Sequence, residues 1–148
     1  MKLSTRTRYG TRAILELSLR QGEGPILLKD IAKKQQISLP YLEHLISPLI
    51  TGGIIRSIKG PRGGVYLAKA PDEIKLSEVI RLLEGSMALV SCVDDPSSCD
   101  RSGFCVTRDI WDEIKKGMDN VLDSTTFQDL MERQKKKEPP MCQPMYHI

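Results

Sequence analysis

Aromatic side chains are scarce, at 5% of 148 residues. A core made from this chain must therefore be aliphatic, built of Leu, Ile, Val and Met. No apolar run approaches the roughly 18 residues a membrane-spanning helix needs. The start, Met1-Lys2-Leu3-Ser4-Thr5-Arg6, lacks the apolar stretch of a secretion signal. These absences predict a cytoplasmic location. No Walker-type phosphate loop, no nucleophile–base pair and no metal motif with an open position is present. His44 and His147 have no reasoned catalytic partner. The chain is therefore expected not to be an enzyme. Hydrophobic residues at 40% and charged residues at 28% exclude a disordered or collagen-like chain.

Cysteine is absent from the first 91 residues. Cys92, Cys99 and Cys105 then fall within 14 residues, and Cys142 follows in the tail. In a cytoplasmic chain such a cluster points to metal binding or redox chemistry rather than a disulfide framework. Charge is just as uneven. Residues 1–70 hold 12 Lys and Arg against 4 Asp and Glu, a net +8. Residues 71–148 hold 10 against 15, a net −5. A basic first half suits a polyanionic partner, although a solvated basic face gives the same count.

Periodicity supplies the elements. Tyr9, Ala13, Ile14, Leu17 and Leu19 mark a helix over 4–20, capped by Ser4 or Thr5. A short helix over 27–34 follows, then a turn at 35–38. Ser38 caps a third helix, with Pro40 in its first turn. Leu42, Leu45, Ile46, Leu49 and Ile50 form its apolar stripe, and Pro48 inside it predicts a kink or an early end. The period then switches to two. Residues 54–59 and 65–68 read as strands around Gly60-Pro61-Arg62-Gly63-Gly64, a hairpin. Leu76, Val79, Ile80, Leu82 and Leu83 give a fourth helix ended by Gly85. Residues 91–105 read as loop, and Val106, Ile110, Ile114, Met118, Val121 and Leu122 give a helical stripe of about five turns. Thr125-Thr126-Phe127-Gln128 resembles a capping box that opens a last short helix.

Three helices followed by a hairpin make a winged helix-turn-helix. The expected fold is mainly α with a small β-hairpin and a long dimerisation helix. Three parts are expected: residues 1–70 as the DNA-binding domain, 71–133 as cysteine loop and dimerisation helices, and 134–148 as a flexible tail. The third helix fits the DNA major groove, about 12 Å wide, and would present Tyr41, Glu43, His44 and Ser47. Arg6, Arg8 and Arg12 on the first helix suit phosphates. Lys59, Pro61, Arg62 and Gly63 at the hairpin tip form the wing, where Arg can enter a narrow minor groove. The 106–122 stripe needs a partner, and a second copy of the chain is the economical one, though packing on residues 76–84 would also cover it.

The cysteine spacing, Cys-x6-Cys-x5-Cys, is neither that of a structural zinc site nor that of a plant-type ferredoxin. Three thiolates in a Ser-, Gly- and Asp-containing loop can still wrap an iron–sulfur cluster. A reversible disulfide, or plain surface thiols, are the alternatives.

These residues together resemble the IscR-like winged-helix regulators of bacteria, the BadM/Rrf family. The resemblance rests on Met1-Lys2-Leu3-Ser4-Thr5, Arg8-Tyr9-Gly10, the run from Ser38 to Leu45, the Gly60–Gly64 turn, the segment from Val79 to Gly85 and the three-cysteine loop. It implies a homodimeric DNA-binding transcription regulator, a repressor or activator, that senses a [2Fe–2S] cluster and controls cluster-assembly genes. The family's cluster ligands map onto Cys92, Cys99 and Cys105. Its base-reading helix maps onto Tyr41, Glu43 and His44. Arg108 stands where the IscR branch supplies a His three residues after the third cysteine. Arg stays protonated and cannot ligate a metal. The nitric-oxide-sensing branch uses an acidic ligand where Arg8 stands. The fourth position is therefore open to Asp94, Asp95, Asp100, Cys142, His147 or Glu43. The segments from Glu43 to Gly53 and from Val121 to Thr126 also resemble cysteine-metabolism repressors of the same family, which lack the loop. A cluster-free thiol switch, a partner-regulated repressor or a nitric-oxide sensor are the alternative readings.

Overall fold

Ser4 opens α1 (Thr5–Leu19), its hydroxyl accepting from the Thr7 N–H at 3.1 Å. The computed structural model describes residues 2–138, so Cys142, His147 and most of the expected tail lie outside the described residues. Every fourth or third side chain of α1 turns inward: Ala13, Ile14 and Leu17 are buried. α2 (Leu28–Gln35) is closed by Gln36 in the left-handed conformation, φ 57°. α3 (Leu39–Thr51) begins at Ser38, whose hydroxyl accepts from the Tyr41 N–H at 3.3 Å.

Pro48 neither ends nor shortens α3, contrary to the sequence expectation. Its missing N–H orphans the carbonyl of His44, which is exposed and can be served by water. Leu45, Ile46 and Leu49 flank it and are buried. Each such side chain contributes about 1.5–3 kcal/mol, which outweighs one lost backbone bond of about 1 kcal/mol.

β1 (Ile55–Ile58) and β2 (Gly64–Leu67) pair antiparallel, with Arg56 opposite Tyr66 and Ser57 opposite Val65. Ile26 joins the edge through two 2.8 Å bonds with Val65, one in each direction. The hairpin is thus tied to the α1–α2 linker. Two glycines make this possible. A Cβ on Gly63 would sit 2.2 Å from the Ile58 carbonyl oxygen, and one on Gly64 (φ 153°) would sit 2.5 Å from the Ile26 oxygen.

α4 (Leu76–Glu84) packs across α1 and α3. The segment 91–105 is not a plain loop: it holds α5 (Ser91–Asp94) and a 3-10 turn at Pro96–Ser98. Asp95 and Ser102 close these turns by side-chain bonds. α6 (Val106–Ser124) and α7 (Phe127–Lys137) follow. The capping box is shifted by one residue from its expected place: Thr126 caps, and Asp129 reaches back to the Thr126 N–H at 2.9 Å. α7 also runs through Lys137, beyond the expected start of the tail at 134.

The hydrophobic core does not divide at residue 70. Ile74, Val79, Leu83 and Phe127 join Ile14, Leu42 and Leu49 in one cluster. Backbone bonds from Leu76 to Thr125 (2.8 Å) and from Phe127 to Ile74 (3.0 Å) clasp the C-terminal helix onto the start of α4. Among the described residues no helix is long and apolar enough to cross a membrane. Gly64→Ala should cost about 2–3 kcal/mol, because its Cβ meets backbone that cannot retreat without breaking the Ile26–Val65 pair. A denaturant titration with unchanged slope would measure it.

Candidate DNA-reading face and cysteine segment

Tyr41 stands in the first turn of α3, half-buried. Its ring meets Tyr9 of α1 edge-on, with centroids 6.2 Å apart. The Arg12 guanidinium lies 5.3 Å over the Tyr9 ring. This Arg–Tyr–Tyr stack joins α1 to the start of α3 and adds about 1 kcal/mol or less per contact at exposed sites. Glu43 and His44 follow on the same helix and are exposed. Arg8 is exposed on α1. Arg6 is half-buried instead: its Nε is shut from solvent with no partner among the described residues, and its charge lies near Glu84.

At the hairpin tip Lys59, Pro61 and Arg62 are exposed. Gly63 is buried. Its part is to let the turn close against Ile58.

Sequence reasoning missed the group that orients α1. The Glu84 carboxylate accepts from the Ser4 hydroxyl at 2.6 Å, the Ser4 N–H at 3.3 Å and the Thr7 hydroxyl. It is an anion at the N-terminus of α1, where the helix dipole favours one. The Ser4 hydroxyl bond, then the Thr7 bond, hold its pKa below the usual carboxylate range. Eighty residues separate the partners, so no local pattern signals the contact.

The three cysteines are unpaired. Cys92 lies in α5 and is half-buried, Cys99 is exposed after the 3-10 turn, and Cys105 caps α6. Arg108 in the first turn of α6 donates through Nε to the Cys92 carbonyl at 2.9 Å. This clamps α5 against α6. The Cys105 thiol lies 3.2 Å from the Thr107 hydroxyl. That bond, and the Arg108 N–H after it, hold its pKa below the ordinary thiol value. α6 itself has no buried residue. Val106 (75% exposed), Ile110, Ile114 and Val121 (63%) form an open apolar stripe, with Phe104 (76%) just before it.

A family model described as "Iron-dependent Transcriptional regulator", Rrf2, matches residues 3–133. The chain belongs to the Rrf2 family. It is 43% identical over 131 residues to protein rrf2 of Nitratidesulfovibrio vulgaris, covering 88% of this chain and 87% of that protein. It is 41% identical over 130 residues to the transcriptional regulator CymR of Bacillus subtilis, covering 88% and 89%. The solved structure of that CymR, titled the global cysteine regulator, matches with a TM-score of 0.76 over 90% of this chain and 98% of that one. The structure of T. potens IscR matches with a TM-score of 0.77 and 37% identity, over 95% and 93%.

As an Rrf2-family protein the chain is a DNA-binding transcriptional regulator and not an enzyme. The winged-helix fold expected from the sequence is the fold of these regulators. The three thiols suit an iron–sulfur cluster in kind. Their arrangement does not close a site: among the described residues no three His, Cys, Asp or Glu side chains converge on a metal position.

The Glu84 anchor has a pH signature. Its folded pKa is depressed, so its contribution is full above the unfolded carboxylate pKa and is lost as pH falls through the folded one. Glu84→Gln should lower Tm at neutral pH, and the gap to wild type should close in acid. Thermal unfolding of both proteins across a pH series checks this.

Proposed function

We propose that the chain is a cytoplasmic, homodimeric regulator that binds operator DNA and senses an iron–sulfur cluster of [2Fe–2S] type. The supporting observation is the placement of the cysteines. Cys92, Cys99 and Cys105 sit on one short segment that leads directly into α6, the helix with the open apolar stripe. These three residues would hold the cluster. When bound, the cluster supplies an oxygen- and redox-labile group joined to the dimer-forming helix. Arg108 contributes no ligand; it ties the Cys92 backbone to the first turn of α6, so a change in α5 is passed to that helix.

The DNA-reading residues in this reading are Tyr41, Glu43 and His44 on α3, Arg8 on α1, and Lys59, Pro61 and Arg62 at the wing. Arg6, half-buried on α1, is a further candidate for phosphate. The 106–122 stripe pairs with its copy, as an exposed row of Val and Ile needs. The near-equal identity to CymR and to IscR leaves a second reading supported, a cluster-free thiol switch.

An anaerobic visible spectrum with iron and sulfide assays separates the two. Visible absorption with near-stoichiometric iron and sulfide, lost in Cys92→Ala, Cys99→Ala and Cys105→Ala, is expected. A protein that stays colourless after reconstitution would move the reading to the thiol switch. The wing has its own test. Arg62→Ala should weaken binding to random-sequence duplex about equally for all sequences and reduce the slope of log affinity against log salt by about 1. An unchanged slope would remove Arg62 from the phosphate contacts.

A further inference from the structure

Spacing puts Tyr9 in the apolar stripe of α1 with Ala13, Ile14 and Leu17. Those three are buried, but Tyr9 is only half-buried. Its ring reaches the start of α3 instead. The helix around it is fixed from two sides. Glu84 holds the hydroxyls of Ser4 and Thr7. Gly10 is buried where α1 approaches α4 closely, and a Cβ there would collide with the Leu83 side chain. Tyr9 is therefore mounted on a segment whose place is already set by α4.

Tyr41 is a side chain in need of support. The Ser38 hydroxyl takes its backbone N–H at 3.3 Å, which fixes the first turn of α3 but not the ring. A tyrosine side chain keeps two torsions, and ordering them on binding costs affinity. The Tyr9 ring stands edge-on to the Tyr41 ring, at 86° and 6.2 Å between centroids. That is the arrangement ring quadrupoles favour. Tyr9 is itself held, because the Arg12 guanidinium lies 5.3 Å over its ring. Arg12 and Tyr9 thus brace Tyr41 from a helix other than its own.

We propose that Tyr9 is a positioning residue for DNA reading: it holds the Tyr41 ring in the orientation that meets DNA, without touching DNA itself. The proposal rests on the reading of Tyr41 as a DNA-reading residue. Its physical content is preorganisation. The ring of Tyr41 is ordered before DNA arrives, so specific binding does not bear that cost.

The test uses full-length variants and two probes: a duplex selected from a random pool by the wild-type protein, and a random-sequence duplex. Tyr9→Leu should weaken the selected duplex about fivefold and leave the random one within about twofold. The slope of log affinity against log salt should not change, since no phosphate contact is lost. Tyr9→Phe keeps the ring and should match wild type. In a Tyr41→Ala background, Tyr9→Leu should have no further effect on selectivity. Should Tyr9→Leu not fold, Tyr9→Met carries the same test. Additive losses in the double variant, equal weakening of both duplexes, or full selectivity in Tyr9→Leu while Tyr41→Ala loses it would overturn the proposal alone. Full selectivity in Tyr41→Ala would remove Tyr41 from DNA reading, and the proposal with it.

Discussion

One carboxylate ties the chain's start to its middle. Glu84, at the end of α4, takes the hydroxyls of Ser4 and Thr7 and the Ser4 N–H. Ser4 caps the Thr7 N–H itself; Glu84 adds the negative charge that the helix N-terminus favours and that the first turn of α1 lacks, since it holds no acidic residue. The elements of the winged helix are placed relative to α1. Tyr9 on α1 meets Tyr41 of α3, α1 packs on β2, and α3 packs on β1. A winged helix is often pictured as a free-standing unit, but here its first helix is oriented by a residue from outside the expected 1–70 domain.

One core joins the winged helix to α4 and α7. Phe127 and Ile74 bury beside Ile14 and Leu49. A segment of 70 residues buries a smaller share of its surface than a longer one. Adding α4 and α7 to the core offsets that weakness. The glycine-rich turn of the hairpin belongs to this economy too. Gly63 and Gly64 serve backbone approach, to Ile58 and Ile26 respectively, and leave Lys59, Pro61 and Arg62 as the outward groups.

α6 stands apart from that core. It carries an amphipathic pattern with nothing buried, as expected of a helix whose partner is another chain. The cysteine segment is stitched to its first turn by Arg108, and Cys105 stands at its N-cap position. Most of what α6 touches within the chain is α4, and α4 is the element that Glu84 fastens to α1.

Much of this was legible in the residues. Helix caps at Ser4 and Ser38, the apolar stripes, the switch from a period of 3.6 to a period of 2 at Ile54, and the glycine turn are local signals, set by side chains within a few positions of each other. So were the clustering of Cys92, Cys99 and Cys105 and the poor suitability of Arg108 as a ligand. Where the sequence reading failed, the causes differ. Pro48 did not end α3, because Leu45, Ile46 and Leu49 are buried around it. The 91–105 loop gained helical turns through Asp95 and Ser102 side chains. The capping box moved to Thr126, where the backbone also pairs with the start of α4. The Glu84 anchor and the burial of Gly63 were out of reach of any local pattern. Each depends on atoms that meet only when distant segments pack, and sequence periodicity carries no information about which distant segment supplies the partner.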